Sequence, residues 1–248
     1  MAHTIFHSTR VPLTLWFYAM LHFANSASGV NSRFLLRHLG VSNVAALRIC
    51  RRIRQHLAMI DKNRLMGGTR NVVNVRLVTH RRVRRREKGK KRSARIFLIA
   101  DEAHANSTVM LSPLRHDLIK VIRDKCQPGV KVITTCYDTS RVLSHYGTRL
   151  QKAEFSPTYF IDRPEIDDVL TGFLSYFREP VFLQYKGVDR RNLWMYLKEF
   201  EFRYNRRNAS ETIFDDMISQ FPILGKKEIL ELESWNSRCS SSRLTGLT

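Results

Sequence analysis

Close-set cysteines are missing from this chain. Its four, Cys50, Cys126, Cys136 and Cys239, form no C-x-x-C pair. A zinc ribbon needs two close ligand pairs, so structural zinc is disfavoured and reduced, independent thiols in an intracellular protein are expected. Long apolar runs are missing too. The longest, Leu13 to Ala24, contains Thr14 and His22 and is about half of the ~20 residues that span a bilayer; it predicts a buried helix. No charged start, apolar run and small-residue cleavage site stand in series, which argues against secretion. Acids are scarce in the first part of the chain. Residues 1–95 hold 21 Lys/Arg against two acids, Asp61 and Glu87, a net of +19, whereas residues 96–248 hold 21 against 20. The hydrophobic fraction of 43% excludes a disordered basic tail. A cationic N-terminal part on a nearly neutral body implies a polyanionic partner, because clustered Lys/Arg beside phosphates release counterions whatever the base sequence.

Periodicity predicts the elements. Leu13, Trp16, Phe17, Met20, Leu21 and Phe23 recur at helical spacing after Pro12. A short helix through Phe34, Leu35 and Leu36 ends in the turn Leu39-Gly-Val-Ser42, and Ser42 is suited to N-cap a third helix through Leu57. Helix, short turn, helix is the form of a helix-turn-helix. Strands are expected from Asn71 through Val78, over Arg95 to Ala100 and over Ser107 to Leu111, then a helix from Pro113 to Lys125 and a fourth strand from Val130 to Thr135. Helices follow through Val142 and Leu143, from Pro164 through Phe177, and from Arg190 to Arg206; Asn236 to Thr248 is a Ser-rich tail. The fold class expected is mixed α/β.

The third helix carries Arg48, Arg51, Arg52 and Arg54. With almost no acid nearby to pair them, they are expected on DNA phosphates or groove edges; a solvated face on an ordinary helical hairpin is the alternative. Residues 81–95 hold ten basic side chains, among them Arg81, Arg82, Arg84, Arg85, Arg86, Lys90 and Lys91, and one acid. No aromatic interrupts the run to stack on bases, so it would hold a backbone and not read a sequence; a nuclear address is the competing reading.

Thr4-Ile-Phe-His-Ser-Thr-Arg-Val-Pro-Leu13, Trp16-Phe17, the Leu39-Gly-Val-Ser turn and Arg52-Ile-Arg54 resemble the N-terminal part of insertion-sequence transposases with the ISXO-type domain and their eukaryotic Merlin-like counterparts. Gly187-Val-Asp-Arg-Arg-Asn-Leu-Trp-Met-Tyr-Leu-Lys-Glu-Phe-Glu-Phe-Arg-Tyr-Asn-Arg-Arg207 is similar to that family's C-terminal signature and is the most specific match. The resemblance runs from residue 4 to about 207 and implies a ribonuclease-H-like fold. The chemistry implied is metal-dependent DNA strand cleavage and transfer, with two Mg²⁺ or Mn²⁺ ions about 4 Å apart on three converging carboxylates. The sequence departs from this pattern at two of the three acids. The first-strand position holds Arg76, the fourth-strand position holds Cys136, and the helical position holds Asp167. Asp138 is the nearest substitute for the second acid, and Asp101, in a hairpin, a less favourable one. Arg76 would repel Mg²⁺ and is expected to pair with Asp167 or Asp168; a solvent-facing Arg76 in a shifted register is the alternative.

The family also carries a zinc ribbon ahead of the position of Thr4, so a truncated, decayed or domesticated copy is expected. The division expected is 1–62 as a DNA-binding helical segment, 63–207 as the transposase domain and 208–248 as a helical extension. DNA is the expected partner and a homodimer is left open; neither a membrane nor a small-molecule substrate is expected. Location would be the nucleus in a eukaryote and the cytoplasm or nucleoid in a bacterium. An impaired transposase relative, an active enzyme with rearranged carboxylates, and a basic nucleic-acid-binding protein without catalysis are the three readings.

Overall fold

The computed structural model describes residues 3–80, 94–110, 115–134, 164–183, 185, 188–189 and 192–235. Three helices open the chain. Pro12 sets the φ that starts α1, Leu13–Asn25, which buries Trp16, Ala19, Met20, Phe23 and Ala24 along one stripe. The Asn31 side chain accepts the Phe34 N–H (2.7 Å) and caps α2, Ser32–Leu39. Gly40 closes α2 in the left-handed region at φ 62, where a Cβ would be strained. As expected, Ser42 caps the next helix by accepting the Ala45 N–H, and α3 runs from Asn43 to Ile60.

A four-stranded sheet follows, in the order β3-β2-β1-β4. β1 is Val72–His80, β2 Ala94–Ala100, β3 Ala105–Met110 and β4 Lys131–Ile133. β1 pairs antiparallel with β2, β2 antiparallel with β3, and β1 parallel with β4. Alternation divides the side chains between two faces. Val73, Val75, Phe97 and Ile99 pack on α4, Arg115–Lys125, through Leu118, Val121 and Ile122. Ile96, Leu98 and Ala100 face the other way, toward α5, Pro164–Leu183, and α6, Leu193–Tyr204. Helices on both faces explain why β3 is buried along its whole length and β2 everywhere but Arg95.

Beyond α6 come a 3₁₀ segment, Arg207–Thr212, then α7, Ile213–Ser219, and α8, Lys226–Trp235. The cores do not follow the three-part division expected from the sequence. Ile5, Trp16, Met20, Phe23, Leu35, Ile49 and Ile53 share one core with Phe202 of α6, Ile213 and Met217 of α7, and Leu224. The first 62 residues therefore close their core only with help from beyond residue 200. Each large apolar side chain so buried contributes roughly 1.5–3 kcal/mol.

The last strand is shorter than expected, and α6 starts at Leu193, after a turn in which Asn192 N–H donates to the Asp189 carbonyl. The helix expected through Val142 and Leu143, the basic run over 81–93 and the tail over 236–248 lie outside the described residues. No helix among the described residues is long and apolar enough to cross a membrane.

Candidate nucleic-acid interface

α3 has two halves with opposite surroundings. Val44, Leu47, Arg48 and Arg51 stand at i, i+3, i+4 and i+7, one stripe of the N-terminal half, and all four are exposed. Arg48 Nη2 donates to the carbonyl of Ser8 (3.1 Å), and Arg52 Nη1 to those of Thr4 (3.3 Å) and Ile5 (3.2 Å). That turn is a firm support: Ile5 and Phe6 are buried, Phe6 packs edge-on against Trp16, and Leu224 N–H donates to the His3 carbonyl. Partial burial, and then the charge of Arg48, lower the pKa of Arg52. Among the described residues no carboxylate pairs with Arg48 or Arg52. Carbonyls orient these guanidiniums but leave their charge intact, with spare donors for an anion.

The C-terminal half of α3 overturns one expectation. Arg54 is not on a DNA-facing surface; it is 4% exposed. Its Nε donates to Glu199 Oε2 (2.6 Å) and its Nη2 to the Val30 carbonyl (2.7 Å), with its guanidinium 4.0 Å from the Tyr196 ring centroid. Glu199 Oε1 also accepts from Arg203 Nη2 (3.0 Å), and Arg203 Nη1 donates to the Ser26 carbonyl. The physical reason lies in the helical period. Arg54 follows Cys50 by four residues and precedes Leu57 by three, which puts it on the core arc of α3. An arginine there is tolerated because Glu199 compensates its charge.

Two further ties fix α3 to the rest of the chain. Arg206 grips Asp61, just past the C-terminus of α3, with both Nη atoms (2.8 and 3.1 Å) and reaches Asp216 of α7 through Nε (2.6 Å). His56, fully buried, bonds the Met217 carbonyl through Nε2 (2.8 Å). Asp61 is the one acid in the first 86 residues, so once it engages Arg206 the N-terminal helices have no second acid of their own.

Arg76 lies on β1 opposite Leu98, on the face covered by α5 and α6, and is half-buried with its Nε shut off from solvent. Asp167 sits in the first turn of α5, the helix that crosses β1 and β2 on that same face. Its side chain, and with it the expected pairing to Arg76, lies outside the described residues; Asp168 is exposed. Cys136, Asp138, Arg81, Arg82, Arg84, Arg85, Arg86, Lys90 and Lys91 also lie outside them. Asp101 has a structural task. Its carboxylate accepts the N–H groups of Ala103 (3.0 Å), His104 (2.8 Å) and Gly67 (3.2 Å). Burial raises its pKa, but these bonds and the His104 side chain outweigh it and hold the carboxyl down to about 2.

A divalent ion does not fit at Arg76, where the resemblance expects the first acid. Arginine has five donors, no lone pair and a fixed positive charge, so it cannot ligate Mg²⁺ or Mn²⁺. Among the described residues no group of three His, Cys, Asp or Glu side chains could hold a metal ion.

Sequence reading missed the residues that tie α6 to its neighbours. Glu199 and Arg203 fasten α3, while Glu201 accepts from Ser107 N–H (2.8 Å) and Oγ (2.6 Å) and from Lys198. The signal was present: acids alternating with phenylalanines in Glu199-Phe-Glu-Phe202, within a helix apolar all round, each demand a buried partner. The identity of that partner, 145 positions away for Arg54, was not legible. The segment singled out as a C-terminal signature is thus a hub between the N-terminal helices, the sheet and α5. The chain matches no family model, no curated protein and no solved structure.

Proposed function

We propose that this chain is a DNA-binding protein of the ISXO-type transposase lineage whose strand-transfer chemistry is impaired. The DNA-binding part rests on one observation: among the described residues Arg48 and Arg52 are held by backbone carbonyls and by no carboxylate, whereas Arg54, Arg203 and Arg206 each have an acid. Guanidiniums without a carboxylate partner among the described residues, on the solvent-facing side of α3, suit phosphate oxygens, which they meet with short, charge-assisted bonds. The helix-turn-helix arrangement of α2 and α3 supports the same surface.

Support for the lineage comes from topology. A sheet ordered β3-β2-β1-β4, with β4 parallel to β1, agrees with a ribonuclease-H-like core, and α5 crosses the face that such a site would use. Arg76 supports the impairment, because a guanidinium stands where the first metal-binding acid belongs.

The test is binding of the full chain to a duplex by fluorescence anisotropy across a salt series. Affinity should fall steeply with salt. The double variant Arg48→Ala/Arg52→Ala should flatten the log–log slope by roughly 0.9 for each phosphate that is no longer neutralised. Salt-independent binding, or none, would overturn the DNA-binding part. Robust Mg²⁺- or Mn²⁺-dependent nicking that Asp167→Asn abolishes would overturn the impairment.

A further inference from the structure

Two large apolar side chains interrupt the cationic surface of α3. Val44 is 76% exposed and Leu47 52% exposed. They share a stripe with Arg48 and Arg51, in the half of α3 that follows the Gly40 turn. Burial in this protein does not require them there. Ala46, Ile49, Cys50, Ile53 and Leu57 face the core on the opposite arc. An exposed leucine alone needs no explanation, but two apolar side chains, one helical step apart and next to guanidiniums, form an apolar spot inside a basic field.

We infer that α3 reads base edges in the major groove of B-form DNA, with Val44 and Leu47 placed on thymine methyl groups. This rests on the DNA-binding reading above and adds which chemistry it recognises. Charge selects the occupant. Among the described residues of α1, α2 and α3 no acidic side chain is exposed, and α2, which packs against α3, adds exposed Arg33 and Arg37. A uniformly anionic partner that also presents apolar groups at the bottom of a groove matches this surface. In the major groove the one apolar group a base pair presents is the thymine C5-methyl. The B-form groove, about 12 Å wide, admits a helix, whereas the deep, narrow major groove of A-form RNA does not. The carbonyl supports sort the arginines: Arg48 and Arg52 are drawn toward the N-terminal turn at the flank of the helix, which suits phosphates along the groove wall. Val44 and Leu47 lie outside that tether.

The experiment compares equal-length duplexes of alternating dA-dT and dA-dU, which differ by the methyl group alone. Binding is measured by anisotropy for the unmodified chain, Val44→Ala and Leu47→Ala. Both positions are exposed, so the variants keep the fold, which circular dichroism checks. The unmodified chain should prefer the dA-dT duplex by about fourfold for each methyl removed from water. Each variant should lose part of that preference and keep the salt slope. Equal affinity of the unmodified chain for the two duplexes, with steep salt dependence intact, would overturn this inference and leave DNA binding standing. Absence of salt-dependent binding to either duplex would overturn both. A dimer, seen by analytical ultracentrifugation, that Leu47→Asp dissociates while the duplex preference stays unmoved would assign the patch to a second copy of the chain and overturn the inference.

Discussion

Glu199→Gln removes the charge that two buried guanidiniums share. The side chains of Arg54, Glu199 and Arg203 are 5%, 0% and 3% exposed, and the carboxylate gives one oxygen to each arginine, at 2.6 and 3.0 Å. A glutamine keeps one acceptor oxygen but turns an NH₂ donor toward the second guanidinium. Two positive charges then remain without compensation in a site ringed by Phe23, Tyr185 and Tyr196. Removing one partner of a buried pair costs about 3–5 kcal/mol, a large share of the ~5–15 kcal/mol that holds a typical domain together. At about 2–4 °C per kcal/mol for a chain of this size, the midpoint should fall by roughly 6–20 °C. Urea unfolding followed by tryptophan fluorescence reads both cores, since Trp16 lies in the N-terminal helical core and Trp194 in the core between sheet and helices. Both signals should move together to lower denaturant. A loss below about 1 kcal/mol, outside the range for a broken buried pair, would refute the reasoning. So would an Arg54→Met variant that stays folded but loses whatever DNA affinity the unmodified chain shows, because an arginine held in the core cannot reach a phosphate.

Three further outcomes follow from individual sites. Gly29 has φ 84, and a Cβ there would overlap the Tyr185 hydroxyl; Gly29→Ala should destabilise the chain by more than the ~1 kcal/mol of an ordinary backbone substitution, and an unchanged midpoint would contradict the close approach. Asp101 has a folded-state pKa lowered to about 2 against about 3.9 unfolded. Its contribution is therefore present above about pH 4 and is lost as the pH falls through 2, on the order of 2–3 kcal/mol; Asp101→Asn should remove that part of the acid dependence in urea titrations at pH 5 and pH 2. Burial lowers the pKa of His56, partly opposed by its bond to the Met217 carbonyl. Stability is then present above the unfolded value of about 6.5 and declines as the pH drops below it, so His56→Gln should flatten the stability profile between pH 7 and 5, and a profile identical to that of the unmodified chain would refute the placement.

The sequence by itself determined the elements and several of their ends. Ser42 caps α3 because a hydroxyl two or three residues from free N–H groups needs no tertiary partner. The recurrence of Trp16, Met20 and Phe23 at helical spacing places α1 on a core whatever that core is made of, while Phe17 and Leu21 of the same expected run stay exposed. The succession of three strands, a helix and a fourth strand followed from where β-branched runs alternate with helical ones, and the charge asymmetry was countable directly; the order of the strands within the sheet was not. These signals act within one or two turns of chain. Only the tertiary structure decided which arginine of α3 is solvent-facing and which is structural. Arg48 and Arg54 are six residues apart and chemically identical, and each has the same local preference. One meets the carbonyls of Ser8 and His7 at the surface; the other meets a carboxylate from α6 in the core. The same holds for Asp61, whose capture by Arg206 strips the N-terminal helices of their single acid, and for Arg76, whose facing toward α5 and α6 depends on its register with Leu98. A charged side chain is stabilised or excluded by the dielectric and the partner it meets, and both are set by which distant segments the core brings beside it.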